Sequence, residues 1–510
     1  MKIRRLAALV GLCLLGLFAA TPAAAEWRRA ESPNFIVYGE SSESRLRQRI
    51  LLLEEYHRLL RAITSIDAEP APNKLTVYLV RGHGDLRRVR DVPTGVAGFY
   101  TATPYGIAAF VDDNVGMGAN EVLFHEYTHH FMWQYAPSAY PAWYVEGFAE
   151  YLMTAQFRPR EVHVGLHSAS RAGAVVDLMW LPMDRVLFGT QEGLSNEQRH
   201  RYYAQAWMIV HYFNSSSELK AKLRRFLAAV REGTEPRAAF ERETGLTAAA
   251  LTRALRTYVG DGRIPYGRLT RPEVAPPPVT VTVLPRSASD LLLYEAALRV
   301  GVRDEALADA LARIRTLAAR HGEDPYARRV LAHAEVMGGD RAAGERLLDA
   351  LLQTSPADAE LLYLKGMRYL LEAEQSENWE GNARNAARWL SRAHRADENH
   401  FQTLYRYAQS LRGREEFDSE NTANILALSR QLAPQVVEIS MNTATMLIRR
   451  RDYELAEAIL RPLASNPHNE GLAQAAQQLL ERTRQERTAA PATAAPSPPA
   501  TAPAANPPSQ

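Results

Sequence analysis

Two histidines and a glutamate have the spacing of the zinc-hydrolase motif HExxH, in the segment His125-Glu126-Tyr127-Thr128-His129. Residues four apart on a helix share one face, so His125 and His129 can bind the same metal ion. Glu126 lies roughly 100° around the helix from His125, where it can accept a proton from the attacking water without binding the metal. The segment therefore predicts a catalytic zinc centre with Glu126 as its general base.

The residues around this motif predict the helix that it requires. Asn120 is a favourable N-cap, and no proline follows the motif until Pro137. Apolar side chains that could pack this helix are those of Leu123, Phe124, Phe131 and Met132. His130 points away from the two histidines of the motif, and we interpret it as an ordinary packing or surface residue.

A catalytic zinc takes three protein ligands and keeps one open position, so two histidines are not enough. A second helix is predicted from Ala142 to Met153, directly after Pro141. It carries Glu146 and Glu150 one turn apart on a single face. Spacing alone predicts the third ligand in this helix and leaves either carboxylate able to reach the metal.

The two helical segments together resemble the gluzincin clan of zinc metallopeptidases, with its aminopeptidase N and thermolysin-like catalytic domains, here in a bacterial secreted form. The residues that match the second gluzincin segment are Trp143, Glu146, Gly147, Phe148 and Ala149. The resemblance implies that Glu146 is the third ligand and that Glu150 accepts the outer N–H of a zinc histidine. The gap between His129 and Glu146 is slightly shorter than in aminopeptidase N relatives, so we expect a tighter loop between the helices.

Residues 203–213 have apolar side chains at helical spacing and resemble the aminopeptidase N segment that opens with a tyrosine. That resemblance implies that Tyr203 donates a hydrogen bond to the oxyanion of the tetrahedral intermediate. Tyr202 is the alternative if the register differs by one residue. An aromatic residue in the core of a helix is the competing interpretation of Tyr203.

Residues 105–111 predict a short strand just before the helix that carries the HExxH motif, here called the metal helix. Gluzincins keep an edge strand in this place, and an extended peptide could add to such a strand through backbone hydrogen bonds. A core strand is equally compatible with these residues. The chain has no Gly-x-Met-Glu-Asn element, with which aminopeptidase N relatives hold a substrate amino terminus, and this favours an endopeptidase.

Residues 1–25 have the pattern of a secretory signal peptide, with a basic start, apolar residues 6–20 and an A-x-A cleavage site at residues 23–25. Leu12 precedes the only cysteine, Cys13, where a lipoprotein signal would need a small residue. No other apolar run is long enough to span a bilayer. We therefore expect a secreted protein of the bacterial periplasm with no stable membrane insertion.

The charge of the mature chain bears on its partners. Of 60 basic and 58 acidic residues, removal of residues 1–25 takes away three basic ones and leaves a formal charge of −1. Nucleic acids and anionic membranes select basic surfaces, so neither is expected as a partner. Without Cys13 the mature chain has no thiolate, so any metal must be bound by histidine and carboxylate.

The fold class that we predict is α+β, a gluzincin-like metallopeptidase domain over residues 26–263, followed by an all-α solenoid. A proline-rich linker is predicted over residues 264–286, tetratricopeptide-like helical repeats over residues 287–485, and a disordered Ala/Pro-rich tail over residues 486–510. Small residues mark the repeats at Ala332, Gly366, Ala408 and Ala444. Their spacings of 34, 42 and 36 residues are close to the tetratricopeptide period, and we place the eight extra residues in one hairpin turn.

The expected function is that of a secreted zinc peptidase with one Zn²⁺ per chain, whose repeats bind a protein substrate or partner. A second interpretation is an envelope protein-binding scaffold with a structural or vestigial zinc site, although such a site has no need of Glu126. A third is a zinc hydrolase of a non-peptide amide or ester, which a groove without an edge strand would favour. Repeats that only cap or position the catalytic domain are the alternative to a binding role.

Overall fold

The computed structural model describes four stretches of the chain, which are residues 26–115, 117–168, 179–260 and 264–489. The predicted signal peptide, residues 1–25, lies outside the described residues, as do residues 490–510 of the predicted disordered tail. Within the described stretches, no helix combines the length and the apolar character needed to cross a membrane.

The strands form two sheets. They are β1 (Arg28–Glu31), β2 (Phe35–Gly39), β3 (Leu75–Val80), β4 (Gly98–Thr103), β5 (Gly106–Asp112), β6 (Gln156–Phe157), β7 (Glu161–Val164), β8 (Gly267–Thr270) and β9 (Thr280–Val283). The larger sheet has the order β4-β5-β3-β2-β1-β9, with β2, β3 and β5 parallel and the other pairings antiparallel. The smaller sheet, β6-β7-β8, is antiparallel.

Residues 26–286, here called the N-terminal half, add helices to both sheets. These are α1 (Glu43–Thr64), α2 (His83–Val89), α3 (Met117–Tyr135), α4 (Ala142–Met153), α5 (Met183–Phe188), α6 (Asn196–Phe213), α7 (Ser217–Arg231), α8 (Pro236–Thr244) and α9 (Ala248–Val259). Helix α1 is capped by Ser42, whose side chain accepts a hydrogen bond from the Arg45 N–H. The chain therefore has the expected α+β character in this half.

Residues 288–489, here called the helical half, contain helices only. These are α10 (Ala288–Val300), α11 (Asp304–Ala318), α12 (Pro325–Gly338), α13 (Arg341–Thr354), α14 (Ala359–Ala373), α15 (Trp379–Ala396), α16 (Phe401–Ser410), α17 (Glu420–Leu432), α18 (Val437–Arg449), α19 (Tyr453–Ala464) and α20 (Glu470–Ala489), with short 3₁₀ turns between some of them. Consecutive helices pack against one another, and the four marker residues Ala332, Gly366, Ala408 and Ala444 are all buried. A helical array therefore follows the α+β half, as predicted.

The two halves share a helical layer. Side chains of a strand alternate between the two faces of a sheet, so the central strands supply two separate cores. Val77 of β3 faces the core formed with α1 and α3, whereas Tyr78 faces a core completed by Leu292 and Ala296 of α10. The opposite side of α10 packs on α11 and α12 through Leu291. The first helix of the predicted repeat region thus also covers the sheet of the N-terminal half.

The predicted linker, residues 264–286, does more than connect the halves. Its strand β8 pairs with β7 in the smaller sheet, and β9 pairs with β1 at one edge of the larger sheet. Alternating Val and Thr favour an extended chain on a half-buried surface. This segment consequently extends both sheets, which the prediction of a plain linker did not include.

One open alternative is decided and two predictions need correction. Residues 105–111 form most of β5, which lies between β3 and β4 and is therefore the core strand of the two alternatives; the edge strand on this side of the sheet is β4. The eight extra residues after Gly366 do not all lie in one hairpin turn. The turn before α15 has five residues, whereas the turn before α13 has two, and α15 begins about one helical turn further ahead of its small residue Ala386 than α13 does of Gly344. Residues 486–489, expected in the disordered tail, continue α20, since Glu486 and Arg487 still favour a helix.

Gly147 lies where the backbone of α4 closely approaches that of α6. A Cβ atom there would stand 2.3 Å from the Ala206 carbonyl oxygen and 2.8 Å from Val210 Cγ2. We expect Gly147→Ala to lower the free energy of unfolding by about 1–3 kcal/mol, because α6 would have to move away from α4. Urea denaturation of the purified chain measures this loss. Gly84→Ala is the matched control, since nothing lies within 4 Å of a Cβ at Gly84, and equal stability of both variants would contradict the prediction.

Candidate metal centre

Helix α3 presents both motif histidines to α4. Its apolar face is fixed by Phe124 and Phe131, which are buried in the main core of the N-terminal half. The predicted N-cap is wrong: α3 begins at Met117, and Asn120 lies in its first turn, hydrogen-bonded to Arg49 of α1. The 3₁₀ turn Asp113–Val115 brings the chain into a helical path before Asn120 is reached.

The three predicted ligands place their donor atoms in a small triangle. His125 Nε2 and His129 Nε2 are 3.1 Å apart. Each lies 3.5 Å from Glu146 Oε2. Two donors of a tetrahedral zinc with bonds of about 2.0–2.1 Å are separated by ~3.3 Å. The donor set and its spacing therefore fit a zinc ion.

The surroundings of the Glu146 carboxylate favour a bound cation. It is completely buried, and neither of its oxygens has a well-formed hydrogen bond within the described stretches. Burial alone would favour the neutral acid, but the surrounding imidazoles outweigh it and hold the pKa of Glu146 well below its usual range. A buried carboxylate without hydrogen-bond donors is costly unless a positive charge compensates it. Bound zinc would supply that charge.

Glu126 lines a cleft together with the predicted ligand His129. Burial raises the pKa of its carboxyl, and the neighbouring His125 offsets only part of this effect. A carboxylate whose pKa is raised in this way is a better proton acceptor near neutral pH than an exposed one. Its position and environment suit the predicted role of general base.

Glu150 and Tyr203 lie around His125. Glu150 is buried, with Oε1 3.5 Å from His125 Nδ1, behind the face that would meet a metal. Tyr203 is on α6, and its ring lies edge-on to that of His125 with centroids 6.4 Å apart. Tyr202, the alternative, is fully buried in the main core. Tyr203 is thus the one whose ring adjoins a predicted histidine ligand, whereas Tyr202 interacts electrostatically with Glu146.

His130 faces away from the triangle, and the packing interpretation is the correct one for it. It is buried, and its Nδ1 lies 3.1 Å from the Tyr100 hydroxyl. Burial lowers the pKa of His130 to about 3, so the ring is neutral. Another neighbour is the Gln435 side chain of the helical half, which donates a hydrogen bond to Gln134 at 2.7 Å.

A cleft of about 500 Å³ opens beside the predicted ligand His129. One wall is the edge strand β4, including Tyr100 and Thr101, and Glu126 and His129 lie at its base. The opposite wall comes from the helical half, with residues 435–438 and His468. In the described part of the chain, no strand pairs with the outer side of β4. The cleft therefore lies between a free sheet edge and the helical half.

Sequence reasoning missed His468, which belongs to the turn between α19 and α20. Its Nδ1 lies 3.6 Å from Glu146 Oε1, and its ring lies 4.5 Å from that of His129 between centroids. The only local signal is a histidine that follows Asn466 and Pro467 in a turn. More than three hundred residues separate it from the HExxH motif, and no periodicity links positions so far apart.

No family model matches the chain, and neither does any curated protein. Among solved structures, the chain is similar to the crystal structure of TTC0263, a thermophilic TPR protein in Thermus thermophilus. That similarity has 16% identity and a TM-score of 0.32, and it covers 38% of this chain and 99% of the other. The MamA RS-1 ArsTM double mutant is also similar, with 16% identity, a TM-score of 0.25, and 39% and 96% of the two chains covered. These scores are too low to assign a function.

Proposed function

We propose that this chain is a zinc-dependent peptidase of the gluzincin type that is secreted to the bacterial periplasm. The observation that carries the proposal is the triangle of His125 Nε2, His129 Nε2 and Glu146 Oε2, with sides of 3.1, 3.5 and 3.5 Å. Glu126 adjoins it on the side of the cleft. A site that only stabilises the fold needs neither an open cleft nor a carboxylate directed to it.

Each residue of the site has a defined task in peptide hydrolysis. Zinc held by His125, His129 and Glu146 would polarise the scissile carbonyl and lower the pKa of the attacking water. Glu126 accepts a proton from that water and passes it to the nitrogen of the leaving amine. Tyr203 donates a hydrogen bond to the oxyanion that forms on the carbonyl. Glu150 holds His125 in orientation through the outer ring nitrogen.

The cleft supports a peptide as the substrate. Its wall β4 is an edge of the larger sheet among the described residues, and residues 100–103 of β4 line the cleft, where an extended chain would pair with them. A peptide bound in this way pairs through its own backbone, with little demand on its sequence. A small ester or a non-peptide amide has no use for such an edge, so the peptide is favoured over the other hydrolase substrates.

The helical half contributes the other wall of the cleft through residues 435–438 and 466–469. A protein substrate or partner held by the helical array would therefore lie beside the site of cleavage. The mature chain has a formal charge near zero, and we propose no nucleic acid among its partners.

The test uses the chain from residue 26 to residue 510, purified without added metal. We expect about one zinc per chain by elemental analysis. We also expect cleavage of an unbiased peptide library, read by mass spectrometry, which 1,10-phenanthroline abolishes and added zinc restores. Absence of bound metal would refute the proposal. Bound zinc without cleavage of peptides or unfolded proteins would favour the scaffold with a structural zinc site.

A further inference from the structure

The metal centre has a contact from the helical half that the proposed mechanism does not use. Glu146 directs Oε2 at the two motif histidines, and its other oxygen, Oε1, faces His468 Nδ1 at 3.6 Å. The His468 ring also stands against His129 at an interplanar angle of 69°. One side chain of the helical half thus adjoins two of the three predicted ligands.

The turn that carries His468 is well supported. The His468 N–H donates to Asn466 Oδ1 at 3.0 Å, and Asn469 accepts from the Leu472 N–H at the start of α20. Pro467 restricts the backbone between them. The helices on either side, α19 and α20, pack in a core that also receives Trp133 of the metal helix. The hydrogen bonds of the turn and the packing of its flanking helices therefore hold the His468 side chain beside Glu146.

The helical half is also held against the N-terminal half on other sides of the cleft. Asn73 donates to the Leu432 carbonyl at 3.2 Å, and Gln402 donates to the Tyr105 carbonyl at 3.2 Å. Gln435 donates to Gln134 on the metal helix. These contacts place the turn between α19 and α20 over Glu146 without requiring a bound substrate.

We propose that His468 is a positioning residue for Glu146, so that both halves of the chain build the metal centre together. The Nδ1–H group would donate to Glu146 Oε1 and keep Oε2 directed at the metal position, as outer partners do for metal ligands. This inference rests on the proposed zinc site. It assigns the helical array a part in the active site itself, in addition to any recruitment of a partner.

The geometry separates this role from direct ligation. The atoms of His125, His129 and Glu146 that could bind a metal all lie within 4.8 Å of one another, and His468 is not part of that group. The His468 side chain also keeps 40% of its surface exposed, in the cleft. A ligand would instead be expected to turn a ring nitrogen to the triangle and to lose most of that exposure.

The test compares zinc affinity and kinetics in full-length mature variants. We expect His468→Ala to raise the zinc Kd, measured against a competing chelator, by about 10- to 100-fold. We expect kcat to fall by a similar factor with little change in KM. The variant His468→Asn places an amide N–H where Nδ1–H stood and should recover much of the affinity. The variant His468→Gln places that N–H one bond further out and should not.

The control is His394→Ala, in α15, which does not line the cleft, and it should leave Kd and kcat unchanged. A wild-type Kd in His468→Ala would overturn the positioning role while leaving the zinc site intact. No zinc in the wild type would instead refute the proposed function. Cobalt-substituted proteins add a readout that does not depend on activity. If His468→Asn changes the coordination number seen in the cobalt d–d spectrum, His468 is a ligand and the positioning role is wrong.

Discussion

Glu126→Gln is expected to lower kcat for peptide hydrolysis by a factor of about 10² to 10⁴, with zinc content unchanged. Glutamine has nearly the shape of glutamate but cannot accept a proton from water at neutral pH. The predicted ligands, His125, His129 and Glu146, do not include this side chain, so metal binding should persist. The loss should therefore appear in kcat alone, with KM and zinc per chain close to wild type.

The measurement is steady-state cleavage of one peptide selected from the library, with zinc determined on the same samples. Glu241→Gln is the matched control, because Glu241 is an exposed glutamate on α8 outside the cleft. Loss of zinc from Glu126→Gln would mean that Glu126 helps to bind the metal. Undiminished cleavage would remove it from the mechanism.

Glu146→Ala is expected to raise the zinc Kd by more than about a hundredfold. This exceeds the 10- to 100-fold rise in Kd that is typical when a residue that hydrogen-bonds to a metal ligand is removed. The same substitution at Glu150 should stay within that smaller range, since Glu150 lies 3.5 Å from the outer nitrogen of His125 and is not one of the three predicted ligands. The two variants together distinguish the two carboxylates, between which helical spacing alone did not choose. The measurement is chelator competition on both proteins.

Thermal unfolding gives an independent readout of the same substitution. A metal that binds only the folded chain stabilises it by an amount that increases with the ratio of the free metal concentration to Kd. Saturating zinc should therefore raise the Tm of the wild type and leave that of Glu146→Ala nearly unchanged. A full zinc-dependent rise in Tm for Glu146→Ala would contradict its role as a ligand.

Local sequence determined the helices and strands that carry the site. Pro141 precedes α4 as predicted, Ser42 caps α1, and the run Leu75–Val80 forms the buried strand β3. Each of these features depends on neighbours within a few residues, through capping, restricted backbone angles or side-chain period. The i, i+4 geometry of His125 and His129 has the same origin. These elements could be predicted from the chain because their physical causes are local.

Only the tertiary structure decided which distant segments meet. Strand β5 became internal because residues 98–103 formed a further strand outside it, and pairing of that kind has no local signature. Part of the predicted linker joined two sheets. His468 came to Glu146 because α10 and the helices after it bury apolar faces on the N-terminal half and on one another. Such docking depends on the fit of whole surfaces, and for that reason the sequence predicted the three ligands but not their neighbour from the helical half.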